Sequence, residues 1–164
     1  MQANNCVQTQ MKRGLLALAV VCLMGLFSCS SNKKGDVILS RSFPTSSWER
    51  FDFIEDDIEI KKPTTYDLVL TATFDPSYSP DNLTVVFTIF DSNDRPFRTK
   101  SYKFRLKDGY GAWKSELVDG YYHFTLPINS ALTVNEPGTY RFQLENRMPI
   151  TPLTGIHEIA ILNK

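Results

Sequence analysis

The sequence has few cysteines, no excess of either charge and no apolar run long enough to cross a bilayer. Its only cysteines are Cys6, Cys22 and Cys29. The chain beyond Cys29 can therefore form neither a disulfide, a thiolate metal site nor a redox pair. Lys and Arg number 18, Asp and Glu number 18, and no long run of one charge occurs. That balance lacks the basic footprint on which nucleic-acid binding depends. Only two histidines are present, His123 and His157. Neither has an acidic or serine partner at a suggestive spacing, which points to structural rather than general-base or ligand roles. Glu55, Asp56, Asp57 and Glu59 form one acidic cluster, but no loop has the ligand order and glycine of an EF-hand. The cluster reads as a solvated acidic edge, and no cofactor is implied.

What is present is sharpest at the N-terminus. Lys12 and Arg13 precede an apolar run from Gly14 to Phe27. A run of about 14 residues is short of the roughly 20 that a spanning helix needs, and it fits the apolar region of a secretory signal. It closes on Leu26-Phe27-Ser28-Cys29, which resembles the lipobox of bacterial lipoproteins. In that pattern the Cys29 thiol takes a diacylglycerol thioether, and Ser28 is the small residue before the cut. Acylation of the new amino terminus adds a further chain, and several chains anchor stably where one binds reversibly. Cys22 follows Val21 and makes a poorer match. Met11 before Lys12-Arg13 reads as the true start. The expected division is a signal peptide over 1–28, a lipidated cysteine and flexible tether over 29–36, and one domain over 37–164. With Lys12 and Arg13 in the removed segment, 16 bases face 18 acids. No Asp follows Cys29 directly and the tether is not acidic, which points to an outer-membrane protein facing the periplasm.

The body reads as short strands: Val37 to Phe43, Phe51 to Ile60, Tyr66 to Phe74, Leu83 to Phe90, Arg98 to Leu106, Tyr121 to Ile128, Tyr140 to Leu144 and Ile156 to Leu162. Tyr66, Leu68, Leu70, Ala72 and Phe74 alternate with smaller or polar residues, and Leu83 to Phe90 alternates with both faces apolar enough for burial. Arg98 to Leu106 looks like an edge strand guarded by Lys100, Lys103 and Arg105. Pro127 is expected at the end of its strand, because proline removes a ladder donor. Pairs such as Asp75-Pro76, Asp108-Gly109, Asp119-Gly120 and Pro137-Gly138 mark turns. Asp91 to Asp94 reads as a hairpin turn. The expected fold is all-β, a single antiparallel β-sandwich, Ig-like or jelly-roll-like, with about 7–9 strands.

Several pieces carry a family resemblance. They are Trp48 before Phe51 and Phe53, the Tyr66-Asp67-Leu68 strand, and Tyr78-Ser79-Pro80-Asp81-Asn82-Leu83. Asp108-Gly109-Tyr110-Gly111-Ala112-Trp113 and Pro137-Gly138-Thr139-Tyr140-Arg141-Phe142 follow, then Met148 and Pro152-Leu153-Thr154-Gly155-Ile156. In order and spacing they resemble the gliding-motility lipoproteins of the GldH type, known from Bacteroidetes, over about Phe43 to Ile161. Asp75 and Pro149 stand where that family usually carries Arg. The resemblance implies an outer-membrane lipoprotein of an envelope machine and supplies no catalytic residues.

Two functional expectations follow. The first is a non-catalytic assembly lipoprotein, held on the membrane by Cys29 and docking on other envelope proteins through an exposed apolar patch. The second is a glycan or small-ligand module with Tyr110, Trp113, Tyr121 and Tyr122 as aromatic platforms beside the two Asp-Gly turns. Trp48, Trp113 and Tyr140 also have a plain structural reading as core aromatics and a corner tyrosine.

Overall fold

A computed structural model describes residues 35–164. The signal peptide, the Met11 start, the Ser28–Cys29 cut, the lipidation site and tether residues 29–34 lie outside the described residues.

Eleven strands form, and no helix occurs among the described residues. Eight are long: β1 (Asp36–Ser42), β3 (Ile54–Ile60), β4 (Thr64–Phe74), β5 (Asn82–Phe90), β6 (Pro96–Arg105), β8 (Tyr121–Val134), β9 (Gly138–Asn146) and β11 (Ile156–Asn163). Three are two-residue pieces in the connections: β2 (Ser47–Trp48), β7 (Leu117–Val118) and β10 (Leu153–Thr154). Every pairing is antiparallel. One sheet runs β1-β11-β4-β8-β7, a second runs β3-β9-β5-β6, and β10 pairs with β2 as a small two-stranded piece. Among the long strands, first pairs with last, second with second-last, third with third-last, and the middle two with each other. A ribbon paired in that nested way and rolled once is the jelly roll. Of the two sandwich types expected, the connectivity selects this one.

Alternation places the core. Leu68, Leu70, Ala72 and Phe74 of β4 are buried, as are Leu83, Val85, Phe87 and Ile89 of β5. Phe142 and Leu144 of β9 and Ile159 and Ile161 of β11 join them. Each fully buried side chain of this size contributes roughly 1.5–3 kcal/mol. The Tyr140 hydroxyl donates to the Glu136 carbonyl at 3.1 Å, four residues upstream, as a corner tyrosine does. Trp48 is fully buried and donates its indole N–H to the Asp52 carbonyl at 2.7 Å.

Three expectations need correction. Phe51 is not in a strand, because β3 starts at Ile54. The Arg41 guanidinium binds the Asp52 carboxylate at 2.7 Å and the Phe53 carbonyl at 2.9 Å, which holds this stretch as a loop. Pro127 lies inside β8 rather than at its end. β7 covers β8 only at Tyr121 and Tyr122, so the outer side of β8 at Pro127 is an unpaired edge where a missing N–H costs little. The register with β4 shifts on both sides of Leu68, in the same stretch. Finally, β5 is fully sealed on its inner face and only partly on the other, where Thr88 is buried but Val86 and Phe90 are half-buried.

The two ends of the jelly roll differ. Short turns close one end, at 61–63, 91–95 and 135–137. The described chain begins at this end, where Asp36 pairs with Asn163. The opposite end carries the long connections 43–53, 75–81, 106–120 and 147–155.

Candidate functional site

Those four connections form the loop end, and local chemistry fixes each of them. The 75–81 turn starts with Asp75, whose Oδ1 accepts the Ser77 amide at 2.7 Å. Its Oδ2 lies 2.9 Å from His157 Nε2. Ser46 Oγ reaches the same nitrogen at 2.9 Å. Burial pushes the Asp75 carboxyl up, but the hydrogen bonds from Ser77 and His157 outweigh it and leave the group below its ordinary range. Sequence spacing gave His157 no acid or serine, and the fold brings both from 82 and 111 residues away. Both partners converge on one ring nitrogen. A relay needs the acid on Nδ1 and the nucleophile on Nε2, so this cluster binds loops together instead. His123 is exposed, with Nδ1 3.3 Å from the Thr73 hydroxyl. Among the described residues no group of His, Cys, Asp or Glu is arranged to hold a metal ion.

Gly155 completes the knot. Its amide donates to the Ser46 carbonyl at 2.8 Å, and its carbonyl accepts the Asp75 amide at 3.0 Å. It sits at φ +81°, and a Cβ there would fall 2.7 Å from Tyr78 Cα. Only glycine fits both the angle and the approach. Burial pushes the Tyr78 phenol up, and its hydroxyl donates to the Asn82 carbonyl at 2.8 Å.

The 106–120 connection opens as a small hairpin. Lys107 bridges to Trp113, and Asp108 Oδ1 accepts the amides of Tyr110 and Ala112 at 2.8 and 2.9 Å. Tyr110 at its tip is 99% exposed. Trp113 lies flat on Tyr122, with centroids 4.1 Å apart and planes 13° apart. The Lys107 ammonium sits 4.8 Å from the Trp113 ring and donates to the Ser79 carbonyl at 2.8 Å. Tyr121 points to the other face of its sheet and packs edge-on against His157 at 4.6 Å. The structure thus brings two of the four aromatics together, Trp113 and Tyr122, and places Tyr110 and Tyr121 apart from them. An open hollow of about 560 Å³ lies beneath the hairpin, lined by Asp81, Asn82, Lys103, Arg105, Asp108 and Gly109. Its walls are polar and charged.

The 43–53 and 147–155 connections are clasped by Arg50. Its guanidinium donates to the Met148 and Pro149 carbonyls at 3.1 and 3.2 Å, and its amide donates to the Thr151 hydroxyl at 3.2 Å. Phe51, beside it, holds φ +67° and is 67% exposed. A bulky residue in the left-handed region is strained, at a cost of order 1 kcal/mol or more. Ile150 is exposed on the facing loop. Phe51, Tyr110, Leu117, Val118 and Ile150 all lie in the long connections, whereas among the other described residues only Val37 and Phe97 are comparably exposed. Phe51 and Ile150 were missed as surface candidates from sequence. Phe51 mimics a period-two pair with Phe53, and Ile150 stands alone between Pro149 and Pro152, so neither is marked by the local pattern.

Fold and loop end define a class: a jelly-roll module with tight turns where the described residues begin and its long loops, with most of its exposed apolar side chains, at the opposite end. The chain belongs to the GldH lipoprotein family, whose profile matches residues 39–162. That family is associated with gliding motility. No curated protein matches the chain.

Proposed function

We propose that this protein is a non-catalytic assembly component of a cell-envelope complex, anchored by lipid on Cys29 and docking on an envelope protein through its loop end. The observation that carries the reading is the polarity of the domain. The segment preceding Asp36 joins at the short-turn end, and among the described residues five of the seven exposed large apolar side chains lie in the connections at the other. The loop end therefore lies at the end of the domain opposite the point where the described chain enters it. Exposed apolar groups on rigid loops are what a protein partner uses. The family supports a lipid-anchored, gliding-associated role. The sequence after Cys29 favours the outer membrane and its periplasmic side.

The test is capture of the tagged protein from its native envelope after mild crosslinking. Co-purification of one envelope protein at near-stoichiometric yield, lost when the domain is removed and the anchor kept, supports the reading. A second reading, a glycan or small-ligand module, rests on the polar hollow below Tyr110. Retention on a glycan matrix, with no protein partner captured, would favour it. A Cys29→Ser variant tests the anchor by fractionation, with release from the membrane as the expected result.

A further inference from the structure

The four-stranded sheet ends in two edges of opposite charge. At one edge β3 carries Glu55, Asp56, Asp57 and Glu59 and no base. At the other β6 carries Arg98, Lys100, Lys103 and Arg105 and no acid. All of these side chains are exposed. Among the described residues the four bases form no salt bridge, nor do Asp56 and Asp57. Glu55 meets Arg141 at 3.8 Å and Glu59 meets Lys61 at 3.5 Å, so the acidic edge is only partly offset.

Each edge strand bonds to a single neighbour and leaves a row of backbone donors and acceptors on its outer side. One of these on β3, the Asp57 amide, is capped by Asp56 Oδ1 at 2.9 Å and would be released on pairing. Lysines on an edge normally block pairing. Here the same chain also carries the complement. Two β6 edges repel, two β3 edges repel, and only β3 against β6 is attractive.

We propose that β6 of one copy pairs with β3 of a second copy, extending the sheet across the contact. Direction favours it. β3 runs from the loop end to the short-turn end, and β6 runs the opposite way. Two copies side by side in the same orientation therefore meet with these strands antiparallel, the orientation of every other pair in the sheet. The contact joins different surfaces, so it repeats into a row or closes into a ring. Neither the edge charges nor the strand directions depend on the lipid anchor or on the loop-end docking proposed above.

The test uses the protein purified from its native envelope in a nonionic detergent, as equal parts of light and nitrogen-15-labelled material. A zero-length carbodiimide joins carboxylates to lysine amines. Heavy–light products linking the Glu55–Glu59 peptide to Lys100 or Lys103 are expected at low salt. They should vanish at about 0.5 M salt, where charges are screened within roughly 4 Å. Lys100→Glu/Lys103→Glu and Asp56→Lys/Asp57→Lys should each lose self-association while keeping the wild-type melting temperature. An equimolar mixture of the two variants should associate again. Absence of heavy–light products at low salt overturns the proposal, and so does a variant mixture that stays monomeric. Lysines of β6 linked only to another envelope protein would overturn it as well. Variants at the loop end should leave these products intact, so failure of that docking reading registers separately.

Discussion

His157 Nε2 lies 2.9 Å from Asp75 Oδ2 and shares that distance with Ser46 Oγ, so one imidazole ties three of the elements bounding the loop end. The Asp75 carboxyl is held below its ordinary range by hydrogen bonds, against burial. A depressed carboxylate adds stability above its unfolded pKa, and that stability is lost as pH falls through the folded value. Melting temperature should therefore be insensitive to this group near neutrality and fall below about pH 4. Asp75→Asn should remove that acid-side loss in part and cost about 1–2 kcal/mol at neutral pH, read by urea denaturation.

Gly155→Ala combines a left-handed backbone with a collision at Tyr78. It should destabilise by clearly more than 1 kcal/mol. Gly111→Ala and Gly120→Ala have similar angles, +83° and +86°, and open space around them. These should cost only about 1 kcal/mol, the price of the angle alone. Equal losses at all three positions would refute the packing argument.

Trp113 and Tyr110 should separate stability from docking. Trp113→Ala removes the stack on Tyr122 and the Lys107 contact, and should cost roughly 1–3 kcal/mol. Tyr110→Ala changes a side chain that is 99% exposed. Its stability should stay within about 0.5 kcal/mol of wild type. Partner recovery from the envelope should nevertheless fall.

Phe51→Gly relieves a left-handed angle and deletes an exposed ring. Stability should be unchanged or raised by up to about 1 kcal/mol. Reduced partner capture together with a retained melting temperature would mark Phe51 as strained for binding. A clear loss of stability would instead assign the ring a packing role.

Much of this fold was legible because period-two alternation is a local property. Tyr66 to Phe74 and Leu83 to Ile89 show their buried faces in the sequence itself. The edge position of β6 was readable from its lysines, and the corner tyrosine from its turn. What local pattern could not show was nesting. Nothing in β1 announces β11 as its neighbour, so jelly roll and Ig-like order stayed open until pairing was seen. Phe51 looked like a strand residue because its hydrophobicity fits one, and only the Arg41 and Arg50 contacts explain why the chain bends there. The His157 knot joins residues 82 and 111 positions apart, beyond any spacing rule. Tyr121 and Tyr122 are neighbours in sequence, and the same alternation sends them to opposite faces.

Site-specific photo-crosslinking in living cells tests most directly whether the loop end is the docking end. A photoreactive residue at Tyr110 or Phe51 is compared with one at Asn93, which is exposed in the β5–β6 turn at the opposite end. Docking through the loop end predicts one defined envelope protein crosslinked from positions 110 and 51 and none from position 93. Equal crosslinking from both ends, or the same partner from position 93 alone, would contradict it.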